Sequence, residues 1–166
     1  MAPIARTPSA VHRFERILVG LDGSQDASAA AHFAAALARR VDAEVIGIHA
    51  EGLLEAWGDD SIAGKHIAVT RELLREKLAG PWREPLLDVR HRVELRDGNP
   101  VQVLLTAAEE LDVDLIVVGT KGAGGLAEQL MGSTSTQLAE HASVPVVVVP
   151  GARRARPGVE ATQMRT

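Results

Sequence analysis

Short apolar runs and helix-period stretches alternate along this chain, and that alternation constrains its fold more than any other feature. Residues 16–21, 44–50, 88–96, 113–118 and 144–149 read as strands. Between the first two, Ala27, Ala30, Ala31, Ala34, Leu37 and Ala38 recur at helical spacing behind Ser24, a residue type that caps helix starts. So many alanines let that helix lie close against a sheet. Further helices are expected over 67–78, 101–111 and 137–142, with a long surface loop over 51–64. In the third strand Val89, His91, Val93 and Leu95 point inward and Arg90, Arg92, Glu94 and Arg96 outward, as in a strand with one wetter face. Asp97-Gly98-Asn99-Pro100 is a turn that sets proline at a helix start. Alternation of this kind builds right-handed βαβ units, so the expected fold is α/β, a five-stranded parallel sheet with helices on both faces.

A chain of 166 residues is long enough for one domain with a real core. Residues 14–150 carry the periodic pattern. Residues 1–13 and 151–166 are polar and broken by proline or glycine, and both are expected to be loose. The tail holds Arg153, Arg154, Arg156 and Arg165, which read as a solvated arm or a binding one. A net charge of −4 argues against general nucleic-acid binding, which needs a basic face to displace counterions. With no cysteine there is neither a disulfide nor a thiolate metal site, as suits a reducing cytoplasm. No apolar stretch approaches the ~20 residues that span a bilayer, and the first residues lack the apolar core of a signal peptide. The expectation is a cytoplasmic protein without a membrane partner.

Ligands of open parallel sheets sit outside the carboxyl ends of strands, where strand order reverses. Two such ends carry chemistry here. The first strand ends in Gly20-Leu-Asp22-Gly-Ser, and the fourth ends at Gly119-Thr-Lys-Gly122, followed nine residues later by Gly132-Ser133-Thr134. If the two strands are neighbours, the crevice between their ends is the site. Glycines let the backbone approach a ligand because no Cβ intervenes. Small hydroxyls and unpartnered amides at a helix start favour an anion. Together they suggest a phosphate cradle. A Walker loop is excluded, because Gly125-Leu126 stands where lysine and a hydroxyl residue belong after Gly119 and Gly124. A dinucleotide fingerprint is nearly met by Gly122-Ala-Gly124-Gly-Leu-Ala127, yet the next strand runs into Pro150 without the ribose-binding acid.

The third pattern, G-x2-G-x9-G-(S/T), is met in full by Gly119, Gly122, Gly132 and Ser133. With the Asp-Gly-Ser after the first strand, the His49-Ala50 pair ending the second and Asp114-Leu-Ile-Val-Val-Gly, it resembles the nucleotide-binding branch of the universal stress protein family over about residues 14–150. The resemblance implies a Rossmann-like fold of the adenine nucleotide alpha hydrolase kind, with strand order 3-2-1-4-5. It implies Gly20 and Asp22 at the base or ribose, the Ala50 main chain at the adenine and Gly119 near the ribose. Gly122, Gly132, Ser133 and Thr134 would surround the phosphates. The implied ligand is ATP, with or without Mg2+, and cyclic AMP is the alternative, since some relatives bind it. Asp22 has a second reading as a cap for the helix at Ser24, compatible with the first. The stretch 123–131 is glycine-rich, and Lys121 is the only cation inside the motif, so a weaker hold on a triphosphate is expected.

Nothing announces catalysis. No two of the six histidines are four residues apart, and Ser24 and Ser133 lack a nucleophile elbow. His49 reads as a packed or hydrogen-bonded residue, and Trp57 and Trp82 as covers of core edges. The implied role is a nucleotide-dependent sensor or regulator in stress, with a slow ATPase or phosphoryl-transfer enzyme as runner-up and a ligand-free interaction dimer as the third reading. The last strand, Val144-Pro-Val-Val-Val-Val149, would be an aggregation-prone edge unless covered. Family relatives dimerise through it, and a homodimer is expected.

Overall fold

The computed structural model describes residues 13–52, 62–121 and 132–151, and for 62–66 the backbone only. Elements follow in the order β1 (Arg16–Gly20), α1 (Gln25–Val41), β2 (Glu44–Glu51), α2 (Ile62–Ala79), a short 3-10 turn (Glu84–Leu86), β3 (His91–Asp97), α3 (Pro100–Glu110), β4 (Leu115–Gly119), α4 (Ser133–His141) and β5 (Val146–Val149). The strands form one five-stranded sheet in the order β3-β2-β1-β4-β5, and every pairing is parallel. The order reverses between β1 and β4, so their carboxyl ends open a crevice.

Continuous apolar strands bury both faces of this sheet. Ile17 and Val19 of β1 pack on one side with Val45, Leu115, Val117 and the alanine stripe of α1. Leu18 points the other way, with Ile46, Ile48, Ile116 and Val118, against α3 and Leu138 of α4. The stripe of α1 is buried at Ala27, Ala30, Ala31, Ala34, Ala35 and Ala38. At its start the Ser24 hydroxyl accepts from the Ala27 amide at 3.1 Å. Asn99 caps α3 in the same way, with Pro100 in its first turn. The outward residues of β3 are ion-paired: Arg92 with Glu44 at 3.0 Å, and Arg96 with Glu94 at 2.9 Å and Glu110 at 2.8 Å.

Several boundaries differ from the sequence expectation. The second helix begins at Ile62 rather than 67, so Gly64 lies inside a helix despite glycine's low helix propensity. Glu51 belongs to β2, not to the loop. It is buried, paired through Oε2 with Arg71 of α2 at 3.1 Å, and its Oε1 finds no hydrogen-bond partner. Arg71 also pairs with Asp97. The third strand starts at His91 because residues 84–86 form a 3-10 turn that buries Leu86 completely. The fourth strand starts at Leu115, as Asp112 turns the chain in the left-handed region with φ 48°. The fifth starts at Val146, although the Pro145 carbonyl already accepts from the Ile116 amide at 3.0 Å.

The last helix begins at Ser133, four residues before the expected start. Two of its hydroxyl residues bond back along the chain. Ser135 Oγ and Thr136 Oγ1 each donate to the Gly132 carbonyl at 3.0 Å. Trp57, most of the expected 51–64 loop, the 123–131 stretch, the first twelve residues and the tail from 152 lie outside the described residues. Among those described, no helix is long and apolar enough to cross a membrane.

Candidate nucleotide site

The crevice at the strand-order reversal holds a cavity of about 440 Å3. Its floor comes from strand ends: Gly20 of β1, Ile48 and Ala50 of β2, Val118 and Gly119 of β4. Pro100 and Leu104 of α3 close the apolar side. Thr120, Lys121 and the first turn of α4, Ser133 to Ser135, form the polar side. Gly20, Asp22, Ala50, Gly119, Gly132, Ser133 and Thr134 all line this one cavity, although they come from four separate parts of the chain. Gly122, the eighth position singled out in the sequence, lies outside the described residues.

Each wall has a local cause. After β1 the Leu21 amide still pairs with the Ile48 carbonyl at 2.8 Å, and the chain then turns at Gly23 with φ 78°. A Cβ at Gly23 would stand 2.6 Å from the Trp82 ring. Asp22 Oδ1 accepts from the Ser24 amide at 2.9 Å and so braces this turn. Asp22 is therefore not the helix cap. Ser24 fills that role itself, because the helix starts at Gln25. His49 Nδ1 lies 2.6 Å from the Leu21 carbonyl, an acceptor, so Nδ1 carries the proton. The ring packs on Trp82 at 4.9 Å between centroids. His49 is thus a structural tie between the ends of β1 and β2, and Trp82 covers the core edge as expected.

At the other wall β4 ends flush against α1. A Cβ on Gly119 would come within 2.6 Å of the Asp26 main chain, so helix packing alone demands glycine there. The Thr120 amide donates to the Val149 carbonyl at 2.9 Å, and the Thr120 carbonyl accepts from the Gly132 amide at 2.7 Å. Ser135 Oγ shares its one proton between this carbonyl at 3.2 Å and that of Gly132 at 3.0 Å. These bonds tie the two ends of the glycine-rich segment together. The amides in the first turn of α4 lack partners within the helix, and Gly132 offers no side chain to cap them. Asp22 and Lys121 are the charged side chains among the described lining residues. No group of three or more His, Asp or Glu side chains among the described residues is arranged to hold a metal ion.

The motif in the sequence missed Ile48, Pro100, Leu104 and Ser135. The first three reach the cavity only through the order of the strands and the side on which α3 packs, which no local pattern encodes. Ser135 did have a signal: it is a polar residue in the Gly-Ser-Thr-Ser-Thr run, and it is almost fully buried.

A switch-point cavity in a five-stranded parallel sheet defines the class, a Rossmann-like α/β protein. The family model described as "Universal stress protein family" matches residues 13–150, and the chain belongs to that family. It is 36% identical over 136 residues to a universal stress protein of Mycobacterium tuberculosis (strain ATCC 25618 / H37Rv), covering 80% of this chain and 44% of that one. It is 31% identical over 144 residues to a universal stress protein of Methanocaldococcus jannaschii, covering 82% of each. The chain therefore spans less than half the length of the mycobacterial relative and most of the archaeal one. Among solved structures, a universal stress protein in complex with cAMP superposes with a TM-score of 0.60 at 25% identity, over 83% of this chain and 98% of that one.

Proposed function

We propose that this protein binds an adenine nucleotide, ATP foremost, in the switch-point cavity and acts as a nucleotide-dependent regulator in a stress response. One observation carries the reading: seven positions picked out by a phosphate-cradle motif and its companions line a single cavity with an apolar end and a donor-rich end. In this reading the adenine lies at the apolar end by the Ala50 main chain, bordered by Leu104 and Val118. Asp22 and the backbone of Gly20 take ribose hydroxyls or base amines, because a carboxylate accepts from both. Gly119 lies by the ribose, and the phosphates meet the amides and hydroxyls of Ser133 and Thr134 at the positive end of α4, next to Gly132. The family resemblance assigns Gly122 to the phosphates as well.

Magnesium, if it accompanies the triphosphate, fits as an ion held mainly by phosphate oxygens. Asp22 is the only carboxylate among the described lining residues, and magnesium is commonly bound through one or two carboxylates plus phosphates. Regulation rather than turnover is the reading we favour: among the described lining residues the phosphates would meet hydroxyls, amides and Lys121, and the one carboxylate, Asp22, is given to the ribose or base. We further propose a cytoplasmic homodimer paired through β5, whose outer edge has no neighbouring strand within the sheet. A second ligand, cyclic AMP, is favoured by the relative solved with it.

Denaturing the purified protein and resolving the released small molecules on a nucleotide-separating column tests this directly. ATP supports the reading, and cyclic AMP redirects it. A nucleotide-free preparation that also ignores added ATP contradicts it. Gly122→Val should abolish ATP binding while the fold survives.

A further inference from the structure

Asp26 belongs to no part of the site named so far, yet it touches the polar wall at its base. It lies in the first turn of α1, and its Oδ2 accepts from the Lys121 amide at 3.1 Å. The Ser24 hydroxyl reaches the carbonyl of the same residue at 3.4 Å. Both backbone groups of Lys121 are thus engaged from the start of α1, while the neighbouring Thr120 carbonyl is engaged from the start of α4. The Asp26 carboxylate has a made-to-measure seat. A Cβ on Gly119 would strike its main chain, and a Cβ on Gly151 would strike the carboxylate itself. A negative charge close to a phosphate cradle is unfavourable by Coulomb's law, so its presence calls for a role other than attracting the ligand.

We infer that Asp26 is a positioning residue for the phosphate end of the cavity: by holding the Lys121 amide it fixes where the chain leaves β4, and with it the spacing between that exit and the first turn of α4. The inference rests on the nucleotide reading above. An acceptor at this place, not a charge, is what the geometry requires. Asp26→Asn keeps an acceptor oxygen and loses the charge, Asp26→Ala loses both, and Gly151→Ala displaces the carboxylate while leaving residue 26 intact.

Calorimetric titration of the full chain and these three variants with adenosine and with ATP separates the possibilities. Asp26→Ala and Gly151→Ala should weaken ATP by about tenfold, the equivalent of one hydrogen bond to a charged group, and leave adenosine unchanged. Asp26→Asn should restore most of the ATP affinity. Amide exchange at Lys121 should quicken in Asp26→Ala and not in Asp26→Asn, a readout that needs no nucleotide. ATP affinity unaltered in Asp26→Ala overturns the inference, as does an equal loss for adenosine, which would mark general destabilisation. Tighter ATP binding in both Asp26 variants also overturns it, by showing the carboxylate to act as charge alone. Wild-type protein that binds neither compound would instead refute the nucleotide reading, a result distinct from any of these.

Discussion

Gly119 shows how one residue can answer to two demands. Its place in the motif suggests close approach of a ligand, and its surroundings show that α1 already occupies the space a side chain would need. A methyl group there must move helix backbone rather than a pliable side chain. Gly119→Ala is therefore expected to lower stability by about 1–3 kcal/mol, the usual cost of overpacking. Urea unfolding of the nucleotide-free protein checks this, and unchanged stability would show that α1 yields easily. Gly20, Asp22, Gly119, Gly132, Ser133 and Thr134 were legible because glycines, short hydroxyls and an acid at strand and helix ends are chemically distinctive. Ile48 and Leu104 were not, since an apolar residue lining a cavity looks in sequence like any other core residue.

At the scale of elements, the strands and the alanine helix could be read from periodicity, because β1, β2 and β4 are apolar on both faces and β3 alternates with a charged one. Misplaced boundaries cluster where local propensity and tertiary context disagree. Gly64 breaks the apparent helix that α2 nonetheless forms, and the hydroxyl residues opening α4 are poor helix formers that satisfy themselves on the Gly132 carbonyl. The turn after α1 uses Asp42 in the left-handed region with φ 59°, where glycine is the usual signal. No pattern announced the tie between α2 and the sheet. Arg71 neutralises Glu51, which is only 4% exposed and already has one unpartnered oxygen. Removing one member of a buried pair leaves an uncompensated charge. Arg71 itself is partly exposed, so Arg71→Met should destabilise the protein by about 1–3 kcal/mol, the cost of leaving the buried Glu51 carboxylate without its partner. That is more than loss of the exposed Arg75–Glu72 pair, worth about 0–1 kcal/mol. Thermal unfolding of Arg71→Met beside Arg75→Met is the check, and equal effects would contradict it.

For the whole molecule, strand order turns scattered signals into one site: β1 and β4 are neighbours, so an aspartate near residue 22 and a helix start near residue 133 share a cavity. The same order leaves β5 at an edge, where Val146 to Val149 are each only partly buried. We expect light scattering at micromolar concentration to give a mass near twice 17.6 kDa, and a monomer mass would contradict pairing through β5. Above all, we propose that a nucleotide's phosphates rest on the first turn of α4. Titrating isotopically labelled protein with ATP and with adenosine, and following backbone amide resonances, tests this most directly. The expected result is a large shift at Ser133 and Thr134 with ATP that adenosine fails to produce, while the amides around Ala50 respond to both. Resonances at Ser133 and Thr134 that stay still at saturating ATP would contradict it.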